Sequence, residues 1–97
     1  MKIDKKPPAH LSVGAKKLWR DLFEEFVLDD AAGAALLRVA VEAFDRAEEA
    51  RVRIKRDGAV VLDRFRQLKA HPSCAIERDA RGQFMAAIRS LKLEPGG

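Results

Sequence analysis

The residues that could support catalysis are few and lie far apart along the chain. The two histidines, His10 and His71, each sit beside a turn-forming sequence, and the one cysteine, Cys74, lies near the start of a predicted helix. The start of a helix could lower the pKa of a thiol, but a cysteine at such a position more commonly serves as a small buried side chain. The carboxylates of residues 24–30 cluster without the histidine or cysteine that a zinc site requires. With no glycine-rich phosphate loop either, we predict no enzyme activity, metal or cofactor.

Charge falls into three zones along the chain, whose net charge is +4. Residues 1–20 carry six Lys or Arg and one Asp, which gives +5. Residues 21–50 carry two Arg and nine acids, which gives −7, and residues 51–97 carry eleven basic residues and five acids, which gives +6. Two basic zones around an acidic middle can bind a polyanion, or the acidic zone of a neighbouring copy. The alternative is that these charges only solvate exposed helix faces.

The first predicted helix covers about residues 13–27, and residues 1–11 before it predict an extended arm. Pro7 and Pro8 favour the arm because proline disfavours helix in the residue that precedes it. Ser12 can cap the helix by accepting a hydrogen bond from a free amide of the first turn. Apolar residues then recur at helical spacing, while the charged residues fall outside their stripe. The stripe comprises Ala15, Leu18, Trp19, Leu22, Phe23, Phe26 and Val27.

The second predicted helix covers residues 31–57, which contain one glycine and no proline. Asp29 and Asp30 can cap its start, and Gly58 can take the conformation that ends a helix. A helix of this length extends for about 40 Å. A small monomer cannot cover such a helix alone, so we expect it to contact other subunits.

A short β-hairpin is predicted between the second helix and the third. Residues 60–62 form a β-like apolar run, Asp63 can begin a turn, and residues 65–69 can return as a second strand. An irregular loop is the alternative, because no Asn-Gly or Asp-Gly pair is present. Pro72 then suits the first position of a third helix over residues 73–91.

Length and composition indicate one small helical domain over residues 1–97. Hydrophobic residues make up 47% and charged residues 35%, which is typical of a folded domain and not of a disordered tail. One cysteine excludes an intramolecular disulfide, and no segment reaches the roughly 18 apolar residues of a membrane span or resembles a signal peptide. We predict a cytoplasmic, mainly all-α protein of three helices that forms a homo-oligomer.

Several short motifs follow one another in a fixed order. Pro7-Pro8-Ala9-His10-Leu11-Ser12 precedes Leu18-Trp19, and these are followed by the Gly58 break, His71-Pro72 and the closing Leu91-Lys92-Leu93-Glu94-Pro95. This order resembles the phage terminase small subunits. Members of that family similarly read P-x-H-L-S, W, a long helix ending in Gly, a hairpin, H-P or N-P, a last helix and L-G-L-x-P. The resemblance covers nearly the whole chain.

The resemblance implies a non-enzymatic DNA-packaging protein. Small subunits of this kind assemble into rings, bind viral DNA at the packaging start site and deliver it to the large subunit, which carries the ATPase and the nuclease. The expected partners are double-stranded DNA, the terminase large subunit and further copies of the chain. The expected location is the cytoplasm of the host bacterial cell, with no membrane partner.

Two sets of residues are predicted to carry this function. We expect DNA phosphates to contact the basic residues near the N-terminus and around the hairpin, which are Lys5, Lys6, Lys16, Lys17, Arg20, Arg53, Arg56, Arg64, Arg66 and Lys69. We expect the core or the oligomer interface to contain Trp19, Leu37, Phe44, Ile54, Phe84 and Ile88.

Two other functions are open on the sequence alone. A helical regulator or adaptor could bind another protein through the long helix without contacting DNA. A helix-turn-helix transcription factor is less favoured, because residues 30–33 after the turn are acidic and small. A recognition helix normally presents Arg, Gln, Asn or Ser to the base edges near its start.

Overall fold

The computed structural model describes residues 6–26 and 30–93. Its elements are helix α1 (Val13–Glu25), helix α2 (Ala31–Asp57), strand β1 (Val60–Leu62), strand β2 (Leu68–Ala70) and helix α3 (Pro72–Leu93). The two strands pair antiparallel. The mainly all-α prediction, with a hairpin between the second and third helices, is confirmed. Four residues named in the sequence predictions lie outside the described residues. They are Val27 at the end of the predicted first helix, Asp29 at the predicted cap of the second helix, and Glu94 and Pro95 of the closing motif.

Side-chain caps set where the first two helices begin. Ser12 Oγ accepts a hydrogen bond from the Ala15 N–H at 3.1 Å, as predicted. Asp30 Oδ1 accepts one from the Gly33 N–H at 2.7 Å. Each bond satisfies an amide that has no partner within its own helix. Gly58 ends α2 with a φ of 88°, a backbone conformation that residues with a Cβ rarely adopt.

Helices α2 and α3 pack antiparallel along a seam of small residues. The buried alanines of this region are Ala40, Ala43, Ala47 and Ala50 on α2 and Ala80 and Ala87 on α3. Small side chains allow two helix axes to approach closely, because the spacing of packed helices depends on the residues at the contact. The close approach explains why Ala43 and Ala50 have no exposed surface in a region where few other elements cover them.

The large apolar side chains gather at one end of the molecule, where α1 covers the α2–α3 pair. The buried cluster there consists of Leu11, Ala15, Trp19, Phe23, Phe26, Leu37, Val41 and Leu91. The Trp19 and Phe23 ring centroids lie 5.8 Å apart. Leu11, which falls within the predicted arm, is only 5% exposed. Its N–H donates to the Pro8 carbonyl at 3.3 Å, and this turn directs the side chain inward.

The molecule is elongated because α1 covers only half of the long helical pair. It measures 56 × 25 × 18 Å, and its radius of gyration is 16.4 Å. A compact chain of this length would have a radius of gyration of about 13 Å. Large apolar side chains therefore stay exposed towards the hairpin end; they are Val52, Val60, Leu62, Phe65, Leu68 and Ile76.

Candidate nucleic-acid interface

The hairpin projects from the end of the α2–α3 pair that α1 leaves uncovered. Val60 pairs with Ala70, Val61 with Lys69, and Leu62 with Leu68. Residues that lie directly opposite each other in a pair of strands share a face of the sheet. Lys69 therefore lies on one face with Val61, while the other face is entirely apolar.

Asp63 closes the hairpin turn. Its N–H donates to the Gln67 carbonyl at 2.9 Å, and its Oδ1 accepts hydrogen bonds from the N–H groups of Phe65 at 2.8 Å and Gln67 at 3.0 Å. Arg66 completes the loop with a φ of 60°. A three-residue loop that ends in a left-handed residue is a common hairpin connection. The second strand consequently begins at Leu68 and not at the predicted Phe65, because the three residues after Asp63 form the turn.

Three cations and one aromatic ring form the hairpin tip cluster, defined as Arg64, Phe65, Arg66 and Lys69. All four side chains are exposed. The Arg64 guanidinium lies 4.9 Å from the centre of the Phe65 ring. Within the described part of the chain, none of the three cations lies within ion-pair distance of a carboxylate. The cluster therefore presents its positive charge directly to solvent at one extremity of the molecule.

His71 holds the hairpin at its base. Its Nδ1 accepts a hydrogen bond from the Ser73 N–H at 3.0 Å, so the ring proton is assigned to Nε2, which donates to Asp57 Oδ2 at 2.9 Å. The His71 N–H also donates to the Ala59 carbonyl at 2.8 Å. One side chain thus caps α3, with Pro72 in the first helical position, and ties that cap to the end of α2. We call this arrangement the His71 clamp.

The carboxylate of the His71 clamp is also bound by its neighbour in sequence. Arg56 donates to Asp57 from Nε at 2.8 Å and from Nη2 at 2.9 Å. These hydrogen bonds, followed by the one from His71, hold the pKa of the Asp57 carboxyl well below its usual range. Arg56, one of the predicted phosphate ligands, is therefore engaged within the chain.

Acid is expected to remove the contribution of the Asp57 charge to stability. Because the carboxyl pKa is lowered in the folded state, ionisation favours folding above the unfolded pKa of about 3.9, and this gain is lost as the pH falls below it. Asp57→Asn should therefore lower the melting temperature most above about pH 5, with a smaller difference from the wild type at about pH 2. Thermal melts of both proteins across this range test the prediction; a difference that stays constant with pH would contradict it.

The cations near the N-terminus form a second cluster, on α1. Arg20 is exposed and has no ion pair among the described residues, and Lys17 pairs with Asp21 at 3.0 Å. Lys16 is half-buried. Of the other candidates outside the tip cluster, Arg53 and Lys6 are exposed, and Lys5 lies outside the described residues.

The acidic middle of α2 separates the two clusters. The Ser12 N–H donates to Asp45 Oδ2 at 2.9 Å, and His10 Nε2 lies 2.8 Å from Glu42 Oε2. The start of α1 is thereby fixed against the middle of α2. Asp57, the last residue of α2 before the hairpin, lies about 18 Å from Asp45 along the helix axis. The predicted phosphate ligands are thus not one surface, and only those at the hairpin end project beyond the helices.

An open groove of about 380 Å³ runs along α2 from the start of α1 towards the hairpin. Its lining begins with Ser12, Asp45, Glu48 and Glu49 and continues through Val52 to Arg53 and Arg56. Val52 is 58% exposed. Three carboxylates thus lie towards the α1 end of the groove, with an apolar side chain between them and the two arginines.

The apolar residues predicted for the core or the interface differ in how deeply they are buried. Trp19 and Leu37 are buried in the main cluster, and Phe44 and Ile88 pack against it. Phe84 meets Phe44 at a ring-centre distance of 6.1 Å. Ile54, nearer the hairpin, is half-buried.

Across residues 6–26 and 30–93, no three His, Cys, Asp or Glu side chains are grouped so that they could hold a metal ion. In the same ranges no helix is long and apolar enough to cross a membrane. His10 and His71 each contact a carboxylate, at separate places on α2.

Two features of the structure were not predicted from the sequence. The first is the pairing of His71 with Asp57, which lie on different elements; the available signal was a histidine directly before Pro72, at a helix cap position. The second is the buried Leu11, whose signal was its spacing of four residues from Ala15, which continues the apolar stripe backwards.

The fold and this surface define a small helical protein that carries a basic hairpin. The family described as phage terminase, small subunit, matches residues 15–96. This range contains α2, the hairpin, α3 and all of α1 except its first two residues. The chain therefore belongs to the phage terminase small subunit family, which confirms the resemblance and places the chain in phage DNA packaging. Subunits of this family are generally non-catalytic. No curated protein and no solved structure matches the chain.

Proposed function

We propose that this chain binds double-stranded DNA through the hairpin tip cluster, assembles into a ring and delivers viral DNA to the terminase large subunit. The observation that carries the proposal is the cluster itself, in which Arg64, Arg66 and Lys69 project from the end of the molecule. The large subunit supplies the ATPase and nuclease activities in the host cytoplasm, and this chain supplies DNA binding and assembly.

The hairpin suits a DNA duplex in shape as well as in charge. A two-stranded ribbon fits the major groove of B-DNA, which is about 12 Å wide. Lys and Arg side chains on its tip would contact the phosphates on the groove walls, and such contacts provide most of the affinity without reading sequence. The described hairpin offers Gln67 as its amide-bearing side chain for base edges, so sequence preference should be modest.

Ring assembly would strengthen this interaction by repetition. Each subunit would contribute one tip cluster, so that the positive fields of neighbouring tips add around the ring. The elongated shape and the uncovered half of α2 supply surface for such contacts. The exposed apolar side chains near the hairpin support the same conclusion, because isolated monomers rarely leave several of them together in water.

A salt titration of DNA binding tests the proposal. The variant Arg64→Ala/Arg66→Gly/Lys69→Ala removes the three tip charges, and glycine is chosen at residue 66 because it accepts a φ of 60° without strain. We expect weaker binding and a log–log salt dependence that flattens by about 0.9 for each phosphate that the variant no longer neutralises. Fluorescence anisotropy of a labelled duplex measures both quantities.

A matched control removes the same charge from α3. Arg78→Ala/Arg81→Ala/Arg89→Ala also deletes three exposed arginines but leaves the hairpin unchanged. The proposal predicts a smaller decrease in affinity and slope for this control than for the tip variant. Equal decreases would show that only net charge matters. A wild-type protein that fails to bind DNA at low salt would favour the adaptor function instead.

A further inference from the structure

We propose that the first two turns of α1 dock into the α2 groove of a second copy of this chain, and that this contact joins neighbouring subunits. The inference rests on the proposed ring assembly and names the surface that forms it. It also gives the α1 cations a partner other than DNA, which leaves the hairpin tip cluster free for phosphates.

The docking element is the α1 strip, defined as Val13, Lys16, Lys17 and Arg20. Val13, Lys17 and Arg20 follow one another at spacings of four and three residues, so they share the outward face of α1. Val13 is 86% exposed, more than any other large hydrophobic residue that the structure describes as exposed. A large apolar side chain so fully exposed at the end of a basic strip is unusual for a surface that only meets water.

The α2 groove offers the complementary chemistry. Asp45, Glu48 and Glu49 line the end that adjoins α1, and Val52 provides an apolar contact about two helical turns further on. Glu49 has no ion pair among the described residues, whereas Glu48 pairs with Arg51 at 3.1 Å and Asp45 accepts a hydrogen bond from the Ser12 N–H. Arg56 at the far end is held by Asp57. Cations of an incoming strip would thus meet carboxylates, and Val13 would meet Val52.

The arrangement within one chain indicates that the occupant comes from another copy. The strip and the groove both begin beside Ser12, yet Val13 and Val52 remain exposed, so the strip does not fill its own groove. Within one chain, α1 covers the first half of α2, and the groove continues along the second half of α2. Because strip and groove are different patches, the contact is heterologous, and repeated heterologous contacts generate a ring when their rotation closes.

Charge reversal on either side separates this contact from damage to the fold. Lys17→Glu/Arg20→Glu makes the strip acidic, and Glu48→Lys/Glu49→Lys makes the groove basic. Each variant alone brings like charges together and should fall to the mass of a monomer in light scattering at tens of micromolar. In an equimolar mixture the two variants can alternate, so that the acidic strip of one meets the basic groove of the other and the unchanged strip meets the unchanged groove. Every contact then joins opposite charges, and the mixture should recover an assembly.

Val13→Glu provides a variant whose fold is protected. Residue 13 is the first of α1, where an acidic side chain interacts favourably with the helix dipole, so folding is retained. The variant replaces the apolar contact between Val13 and Val52 with a charged carboxylate against an apolar side chain. We expect monomers with the circular dichroism of the wild type. Assembly of this variant at wild-type mass, or a charge-reversed mixture that stays monomeric, would overturn the contact.

The outcomes distinguish this contact from the proposed function. A wild type that is itself monomeric would contradict ring assembly as well as the contact. A wild-type ring that tolerates Val13→Glu would contradict the contact alone. The DNA salt dependence of the hairpin tip variant is measured independently, and it fails or succeeds whatever the mass of the Val13→Glu protein.

Discussion

Trp19→Ala is expected to lower the free energy of unfolding by about 3–5 kcal/mol. Trp19 is only 4% exposed and belongs to the cluster through which α1 holds α2 and α3 together. Its truncation removes the largest side chain of that cluster and leaves a cavity beside Phe23. A domain of this size has a total stability of about 5–15 kcal/mol, so the variant loses a large share of it and should unfold at a much lower urea concentration than the wild type.

Urea unfolding followed by circular dichroism measures this effect. Trp19→Phe serves as the control, because it keeps an aromatic ring in the cluster and should cost much less. DNA binding by Trp19→Ala should fall in proportion to the unfolded fraction. If the variant is instead fully folded and fails only to bind DNA, Trp19 is a contact to the ligand and not a core residue.

Ala43→Leu/Ala50→Leu is expected to destabilise the protein although it adds apolar volume. Both alanines have no exposed surface in the seam between α2 and α3. Larger side chains there must push the helices apart, and overpacking costs about 1–3 kcal/mol at each site. The sites lie about 10 Å apart along α2, so their costs should nearly add, to about 2–6 kcal/mol.

Ala35→Leu is the matched control for the seam. It is the same substitution on the same helix, but residue 35 is exposed, so stability should change by about 0.5 kcal/mol or less. Thermal and urea unfolding of the three proteins compare the sites directly. Seam variants as stable as the control would mean that α2 and α3 are not held in close contact.

The sequence alone determined the features that arise from neighbouring residues. The unbroken stripe through Trp19 specified α1, because helical spacing places these side chains on one face whatever packs against it. Ser12, Gly58 and Pro72 marked helix ends, since capping depends on the backbone groups of one or two turns. The ordered motifs also identified the family.

Tertiary structure decided the features that join distant residues. The sequence shows His71 beside a proline, but only the return of the chain through the hairpin brings its Nε2 to Asp57. In the sequence, the basic residues likewise form two zones, residues 1–20 and 51–97, with similar net positive charge. The fold makes one of them a projecting hairpin tip cluster, and it fixes the other beside the carboxylates of α2 through the contact of Ser12 with Asp45.

The alanines of α2 show the same division most clearly. Their spacing indicates a helix face, yet an alanine carries too little apolar surface to show whether that face is buried or exposed. Only the antiparallel approach of α3 seals Ala43 and Ala50 from water. Local periodicity fixes the direction in which a side chain points, whereas what lies opposite it depends on contacts between segments distant in sequence, and a single sequence does not encode those contacts in its local pattern.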